Sequence, residues 1–383
     1  MAQWHPQLGL AAPPVAADQE TNMEILLIAV ALFLAFGNGA NDNFKGFATV
    51  WGSDSLSYRQ ALMLATIATA AGSLLSLYLA HGLVQQFSGK GLLPQTMLST
   101  PQFLASVGLG AAMTVIIATR AGLPISTTHA LIGGLVGAGL AASPQALQFA
   151  KLGQTFMLPL LLSPLLAAGL GLLSYRALRW RSTSISQTDC ACIVPTAPVV
   201  AIAGVALPTV VAPRLMVAAT ADCDRQGAGA IRMSIPRMLD RLHIFSAGLI
   251  CFARAVNDTP KLAALLAASQ LLNAQGSFAL IAVAMVIGGL LLSRRVAQTM
   301  SQRVTRMDAT QGLSANLITA TLVLGASQFG LPVSTTHVSV GAIAGVGKGA
   351  NTLNAQALRT IVLSWVATLP IAAGLAWLIF ELL

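Results

Sequence analysis

Two acids, two lysines and two asparagines stand at matched places in stretches that are otherwise apolar. In Phe36-Gly37-Asn38-Gly39-Ala40-Asn41-Asp42-Asn43-Phe44-Lys45-Gly46, an Asn-Asp pair and a lysine interrupt a hydrophobic run. Phe252-Ala253-Arg254-Ala255-Val256-Asn257-Asp258-Thr259-Pro260-Lys261-Leu262 repeats Phe, Asn, Asp and Lys at the same internal spacing, 216 residues on. A charge at the centre of a bilayer costs at least about 2.5–3.5 kcal/mol, so such residues mark a functional site by default. Two matched sets imply one site assembled from two halves. Asp42 and Asp258 are suited to ligate a cation such as sodium or to carry a proton. Asn41 and Asn257 offer both donor and acceptor atoms and can touch either an ion or an anion.

A second motif is also duplicated. Gly122-Leu123-Pro124-Ile125-Ser126-Thr127-Thr128-His129 recurs as Gly330-Leu331-Pro332-Val333-Ser334-Thr335-Thr336-His337, seven of eight residues alike at an offset of 208. Proline favours a first helical turn, and Ser or Thr caps the exposed backbone N–H groups there. Such a helix start carries unpaired donors and partial positive charge, which suits an oxyanion. The hydroxyls of Ser126, Thr127, Thr128, Ser334, Thr335 and Thr336 add neutral donors fitted to a tetrahedral anion. The plainer alternative is that they only cap buried helix ends. His129 and His337 can relay a proton near neutrality or simply pack. The glycines after each His, Gly133, Gly134, Gly137 and Gly139 in one copy and Gly341, Gly345 and Gly347 in the other, fit close helix packing.

The elements that must position these residues are transmembrane helices. The 383-residue chain is 55% hydrophobic and 9% charged with 34 glycines, outside the range of a soluble domain. Stretches free of Asp, Glu, Lys and Arg, among them 60–80, 121–150, 152–175, 262–293 and 309–347, reach the roughly 20 apolar residues that span a bilayer. They are continuous, unlike the short alternating strands of a membrane barrel. The net charge of +9 does not point to nucleic acid, because the basic residues gather in a few loops where the positive-inside rule accounts for them.

Residues 1–22 lack the pattern of a cleaved signal and are expected to be a disordered tail. A first membrane repeat occupies 23–181: a helix from Glu24 broken around the Asn-Asp pair, spans at 60–80 and 102–119, the Ser-Thr-Thr-His segment, and a span from 152 to 175. A second repeat occupies 236–383, with a broken helix over 242–272, spans at 276–293 and 313–328, the second Ser-Thr-Thr-His segment, and a last helix over 357–380. Eight arginines in 176–241 and four in 294–306 assign those segments to the cytoplasmic side. Five passages per half make the second half upside down relative to the first, the inverted-repeat plan of secondary transporters with sites on discontinuous helices. The expected fold is thus all-α, an inverted repeat with broken or re-entrant helices and ten to twelve membrane segments.

The connection 182–235 is prolines and valines between two cysteine clusters, Asp189-Cys190-Ala191-Cys192 and Asp222-Cys223-Asp224. Prolines at 195, 198, 208 and 213 argue against a helix, and Val-rich alternation suggests a small β-hairpin lobe. No Cys-x-x-Cys spacing supports a metal clip, and a cytosolic loop is expected to hold reduced thiols.

The duplicated Asn-Asp break and the duplicated Gly-Leu-Pro-x-Ser-Thr-Thr-His segment resemble the inorganic phosphate transporter family, cation-coupled phosphate symporters that also include sulfate permeases. The resemblance covers nearly the whole membrane portion. It implies that Asn41, Asp42, Asn257, Asp258 and the Ser and Thr residues of both motifs form the phosphate and cation sites, that the coupling ion is H+ or Na+, and that no other cofactor is needed. It also implies a multi-pass protein of a bacterial-type plasma membrane. Family members commonly read Asn-Asp-Val-Ala-Asn, whereas the fifth position here is Lys45 in one half and Lys261 in the other. The expectation is that these lysines pair with Asp42 and Asp258 in place of sodium, or else snorkel to the interface; Arg254 adds a further cation. Expected partners are inorganic phosphate and the lipid bilayer, with a homodimer compatible with the sequence. Rival readings are a sulfate or other oxyanion permease and an anion channel. No Gly-x-x-x-x-Gly-Lys-[Ser/Thr] phosphate loop is present, and no nucleophile and base share a motif, so an enzyme is not expected.

Overall fold

The computed structural model describes residues 14–87, 91–98, 100–181, 189–195, 213–225, 231–266, 272–304 and 307–383. The first half contains α1 (Pro14–Asp42), the short α2 (Ala48–Gly52), α3 (Tyr58–Leu79), α4 (Pro101–Arg120), α5 (Thr127–Ala142) and α6 (Leu158–Arg181). A lobe follows, made of β1 (Asp189–Pro195), β2 (Pro213–Ala219), α7 (Thr220–Arg225) and β3 (Ile231–Ser234). The second half contains α8 (Ile235–Leu266), α9 (Ala274–Leu292), α10 (Ala309–Gln328), α11 (Thr335–Ala350) and α12 (Ala355–Leu382). Among the described residues, six helices are long and apolar enough to cross a membrane, and apolar side chains such as Met63, Ile67, Leu161, Leu165, Val283 and Val366 lie exposed on their outer faces. This is a multi-pass membrane protein. α8 falls outside the six despite its length because it carries Arg254, Asp258 and Lys261 inward.

The helices begin where short polar side chains can cap them. Asn273 accepts from Gly276 N–H at the start of α9, Asp308 and Gln311 cap each other reciprocally at α10, and Asn354 accepts from Ala357 N–H at α12. Such caps satisfy N–H groups that have no partner within the helix.

The halves are interlocked. α1 packs on α9 and α8 packs on α3; α5 packs on α12 and α11 packs on α6. These eight helices thus find their main partner in the other repeat, while α4 packs mainly on α1 and α10 mainly on α8, holding each repeat together. The contacts are matched in detail. A Cβ added to Gly72 would sit 2.4 Å from Phe252 O, and one added to Gly288 would sit 1.9 Å from Phe36 O. Both glycines and both phenylalanines are 216 residues apart. Without aqueous solvent to drive association, helices in lipid rely on such small-residue contacts. The glycines after the His motifs serve the same purpose: Gly137 meets Ala373 O and Gly345 meets Ala168 O.

Several expectations are corrected. The first helix breaks after Asp42, with turns to Phe47, but α8 runs without interruption through Asn257, Asp258 and Pro260 to Leu266. The positions matching Gly37, Gly39 and Gly46 are Ala253, Ala255 and Leu262, so the second copy lacks the three glycines that weaken the first, and the helix continues despite Pro260. Residues 14–22, expected within a disordered tail, belong to α1; 1–13 lie outside the described residues. In the lobe the three strands form an antiparallel sheet in the order β2-β1-β3, extending the expected hairpin, and residues 196–212 lie outside the described set. The structure pairs Cys190 with Cys223, where reduced thiols are expected, and leaves Cys192 free and buried beside them. β1 and β3 pack against the start of α8.

Candidate functional site

Each Ser-Thr-Thr-His segment follows a helix that ends in a left-handed glycine, Gly122 at φ +72° and Gly330 at φ +65°. Leu123 N–H returns to Ala118 O and Leu331 N–H to Ala326 O, closing the helix end in the way glycine at this position permits. The chain then runs extended through the proline to a serine cap. Ser126 accepts from His129 N–H at 3.1 Å and Ser334 from His337 N–H at 3.3 Å. These two serines therefore cap α5 and α11, as the plainer reading has it. The two helix starts meet: Thr336 donates to Ile125 O at 2.8 Å and Thr128 to Val333 O at 3.4 Å.

Against this junction lie the charged residues of α1 and α8. Lys45 pairs with Asp42 and donates to Ile125 O at 2.9 Å and to Thr336 Oγ1. Lys261 pairs with Asp258 at 3.2 Å and donates to Val333 O at 2.9 Å, Thr128 Oγ1 at 2.8 Å and Asn257 Oδ1. Each lysine thus bonds an extended carbonyl of its own half and a threonine of the other. Neither snorkels; both are at most 3% exposed.

Asn38 joins the acids. Its amide lies 3.4 Å from Asp42 Oδ2, 3.2 Å from Asp258 Oδ2 and 3.0 Å from Thr127 Oγ1. Arg254 donates to Asn38 Oδ1 at 2.9 Å and to Thr69 Oγ1 at 2.8 Å, with Asp258 at 4.0 Å. Three buried cations, Lys45, Arg254 and Lys261, thus surround two buried carboxylates, a formal surplus of one positive charge. Unpaired charge in a low-dielectric interior is strongly unfavourable, so the cluster is electrically suited to an anion.

The remaining expected residues divide. Asn41 donates to Thr119 Oγ1 at 2.9 Å and Leu123 O at 3.0 Å and accepts from Ile125 N–H at 3.2 Å. Asn257 donates to Ser327 Oγ at 2.8 Å. Asn41 thus clamps the extended segment that leads into α5, whereas Asn257 holds the last turn of α10, and no hydrogen bond joins the two asparagines. Thr335 is buried in the first turn of α11. The His129 and His337 rings meet tilted at 53° with centroids 4.5 Å apart, and His337 stacks on Trp365 at 3.9 Å; among the described residues no acid hydrogen-bonds either ring. Packing describes them better than a relay. Asn38, Thr119, Ser327 and Thr69 were not singled out from sequence, although Asn38 stands 216 residues before Arg254 and Thr119 stands 208 before Ser327.

A sodium ion at Asp42 or Asp258 would need carboxylate oxygens turned to it. Both acids instead accept from a lysine ammonium, so the residues present fit a fixed cation better than sodium at those two positions. Beside the cluster, a cavity of about 490 Å³ is lined by Thr119, Arg120, Leu291, Arg294, Arg295 and Gln298, and Thr119 is the residue that accepts from Asn41.

A family model described as the phosphate transporter family matches residues 38–376. The chain belongs to that family. Members similar to it include a Pyrococcus abyssi protein described as a phosphate permease, 27% identical with 94% of this chain and 97% of that protein covered. Arabidopsis thaliana inorganic phosphate transporter 2-1, chloroplastic, is 27% identical over 92% of this chain and 71% of its own length. A solved structure described as the sodium-dependent phosphate transporter superposes with a TM-score of 0.74 at 20% identity, covering 94% of this chain and 98% of that one. It supports the fold. Within this phosphate transporter family chain, both duplicated motifs lie inside the matched span, from Asn38 onward.

Proposed function

We propose that the chain is a secondary transporter that carries inorganic phosphate across the plasma membrane by alternating access, with protons rather than sodium as the coupling ion. The observation that carries the reading is the cluster of three buried cations and two carboxylates at the meeting point of the α5 and α11 helix starts. Lys45, Lys261 and Arg254 supply the charge that a phosphate neutralises. The hydroxyls of Thr127, Thr128 and Thr336 and the first N–H groups of α5 and α11 supply directional donors, as helix N-termini do for phosphates generally. Asp42 and Asp258 repel phosphate while they are ionised. They need a partner during transport, which the lysines provide in this structure and a proton can provide when the lysines turn to the substrate. Interlocked repeats related by a two-fold suit rocking of one against the other around a shared site. The arginines that line the cavity, Arg120, Arg294 and Arg295, support capture of an anion from the basic face.

The test is uptake of radiolabelled phosphate into proteoliposomes under separately imposed proton and sodium gradients, with sulfate as competitor. Saturable, counterflow-stimulated uptake that follows the proton gradient and ignores sodium is expected. Uptake that stays strictly sodium-dependent, and persists in the Lys45→Asn/Lys261→Asn double variant, overturns the coupling assignment. Preferential competition by sulfate overturns the substrate, and non-saturable flux overturns the carrier mechanism in favour of a channel.

A further inference from the structure

The three cysteines of the lobe are brought to one place from two elements. Cys190 and Cys192 are two apart on β1, so they share a face of the sheet, and Cys223 comes from α7 immediately after β2. The three sulfurs all lie within 4.8 Å of one another and all three residues are buried. Met216 stands opposite Cys192 in the β1–β2 register and packs on the sulfurs, adding a thioether on the same face. The other face of the sheet is different in kind, with Ile193, Leu215, Val217 and Met233 exposed. Clustering soft ligands on the covered side is what a metal centre requires.

A simple cystine leaves features of this arrangement unexplained. The Cα atoms of Cys190 and Cys223 are 7.1 Å apart, beyond the roughly 4.4–6.8 Å usual for a disulfide. A disulfide also uses two sulfurs and leaves Cys192, fully buried, with no role. Three thiolates about 2.3 Å from a common ion would stand roughly 3.8 Å apart; Cys192 already lies within 4.8 Å of the other two sulfurs, and Cys190 and Cys223, paired in this structure, would part on reduction to admit the ion. Location argues the same way. The lobe joins α6, whose last turns carry Arg176 and Arg179, to α8, whose first turns carry Arg237 and Arg241, and a basic membrane face is the cytosolic one. Cytosolic thiols stay reduced, and a Cys cluster there points to metal binding.

We propose that Cys190, Cys192 and Cys223 bind one soft d10 cation as thiolates, with the Met216 thioether favouring Cu(I) over Zn(II). The ion would tie α7 to the central strand of a sheet whose last strand, β3, runs from Ser234 directly into Ile235 of α8. It would thus fasten the link between the two repeats at the foot of the helix that bears Arg254 and Lys261.

The experiment uses the full-length protein, purified in detergent under anaerobic reducing conditions, stripped with chelator and titrated separately with Zn(II) and Cu(I). One equivalent of metal per chain, an ultraviolet thiolate-to-metal band and a raised unfolding temperature are expected, with Cu(I) held against a competing chelator that removes Zn(II). Cys192→Ser and Cys223→Ser should weaken binding by more than ~100-fold, since even outer-sphere partners commonly account for about 10–100-fold; Cys251→Ser should retain the metal. If either ligand variant fails to fold, alkylation of the wild type decides: metal should shield all three lobe thiols until chelator releases them. Undiminished binding in Cys192→Ser overturns the proposal. So does a metal-free protein trapped by alkylation in cells with a Cys190–Cys223 disulfide and an accessible Cys192.

Discussion

Asn38 and Arg254 occupy the same place in the two repeats, 216 residues apart, and hydrogen-bond each other, Arg254 Nη1 donating to Asn38 Oδ1 at 2.9 Å. A position that two-fold symmetry would make identical has become a donor in one half and an acceptor in the other. The consequence is electrostatic. Arg254 supplies the cation that exceeds the two lysine–aspartate pairs, while Asn38 ties both carboxylates and Thr127 to it.

Arg254→Gln should therefore keep a hydrogen bond to Asn38 while removing the surplus charge. Losing one charge-assisted contact of about 1.5–3 kcal/mol raises KM for phosphate by roughly 10–100-fold. Initial rates against phosphate concentration in proteoliposomes measure this. An unchanged KM would mean that Arg254 serves only to hold Asp258.

The lysine–aspartate pairs give a separate expectation. Lys45→Met leaves Asp42 buried without its ion-pair partner, which costs about 3–5 kcal/mol, whereas replacing both members by neutral groups is far milder. Thermal unfolding in detergent should thus show Lys45→Met much less stable than wild type and Lys45→Met/Asp42→Asn partly restored. The same cycle at Lys261 and Asp258 should behave alike. Additive losses in both cycles would show that the pairs do not interact as the distances indicate.

The duplication and the helix starts at Thr127 and Thr335 were legible in the sequence, because each is local and occurs twice; the lysine–aspartate pairing was one of two readings, beside snorkelling, and the structure decides for it. Long-range partners were not. Nothing in residues 242–272 announces that α8 stays continuous until the missing glycines are compared position by position with Gly37, Gly39 and Gly46. That Ser126 and Ser334 cap helices while Thr128 and Thr336 reach across the two-fold depends on backbone direction, which residue type alone does not fix. The exchange of helix partners between repeats is set by surfaces, such as Gly72 against Phe252 and Gly288 against Phe36, that come from sequence-distant segments. The three lobe cysteines lack Cys-x-x-Cys spacing because a strand presents alternate residues, so Cys-x-Cys does the same work.

Those glycine contacts predict where the fold is intolerant. A methyl group at Gly288 would meet the Phe36 carbonyl at 1.9 Å, whereas Gly169 on α6 has nothing within 4 Å. Backbone cannot yield as a flexible side chain can, so Gly288→Ala should lose at least the ~1–3 kcal/mol of overpacking and force α1 and α9 apart. Gly169→Ala should be neutral or gain up to about 1 kcal/mol of helix propensity. Unfolding temperatures of the two variants, measured side by side in the same detergent, separate the effects. Equal behaviour would contradict the α1–α9 contact.

The basic cavity makes the two membrane faces unequal. Arg120, Arg294 and Arg295 line it, and the Arg295 guanidinium donates to Arg120 O at 2.6 Å, so Arg295 also braces the end of α4. Arg294 and Arg120 are the better probes of charge alone. In Arg120→Ala/Arg294→Ala, phosphate presented to the basic face should show a KM raised several-fold at low salt, and the defect should shrink as the Debye length falls to about 8–10 Å near physiological ionic strength. Phosphate presented to the opposite face should bind as before, because steering acts on encounter and leaves the buried cluster unaltered. Right-side-out and inside-out vesicles compared across a salt series give both values. A defect of equal size on both faces would place the arginines' influence in the common site and remove the cavity from the path of the anion.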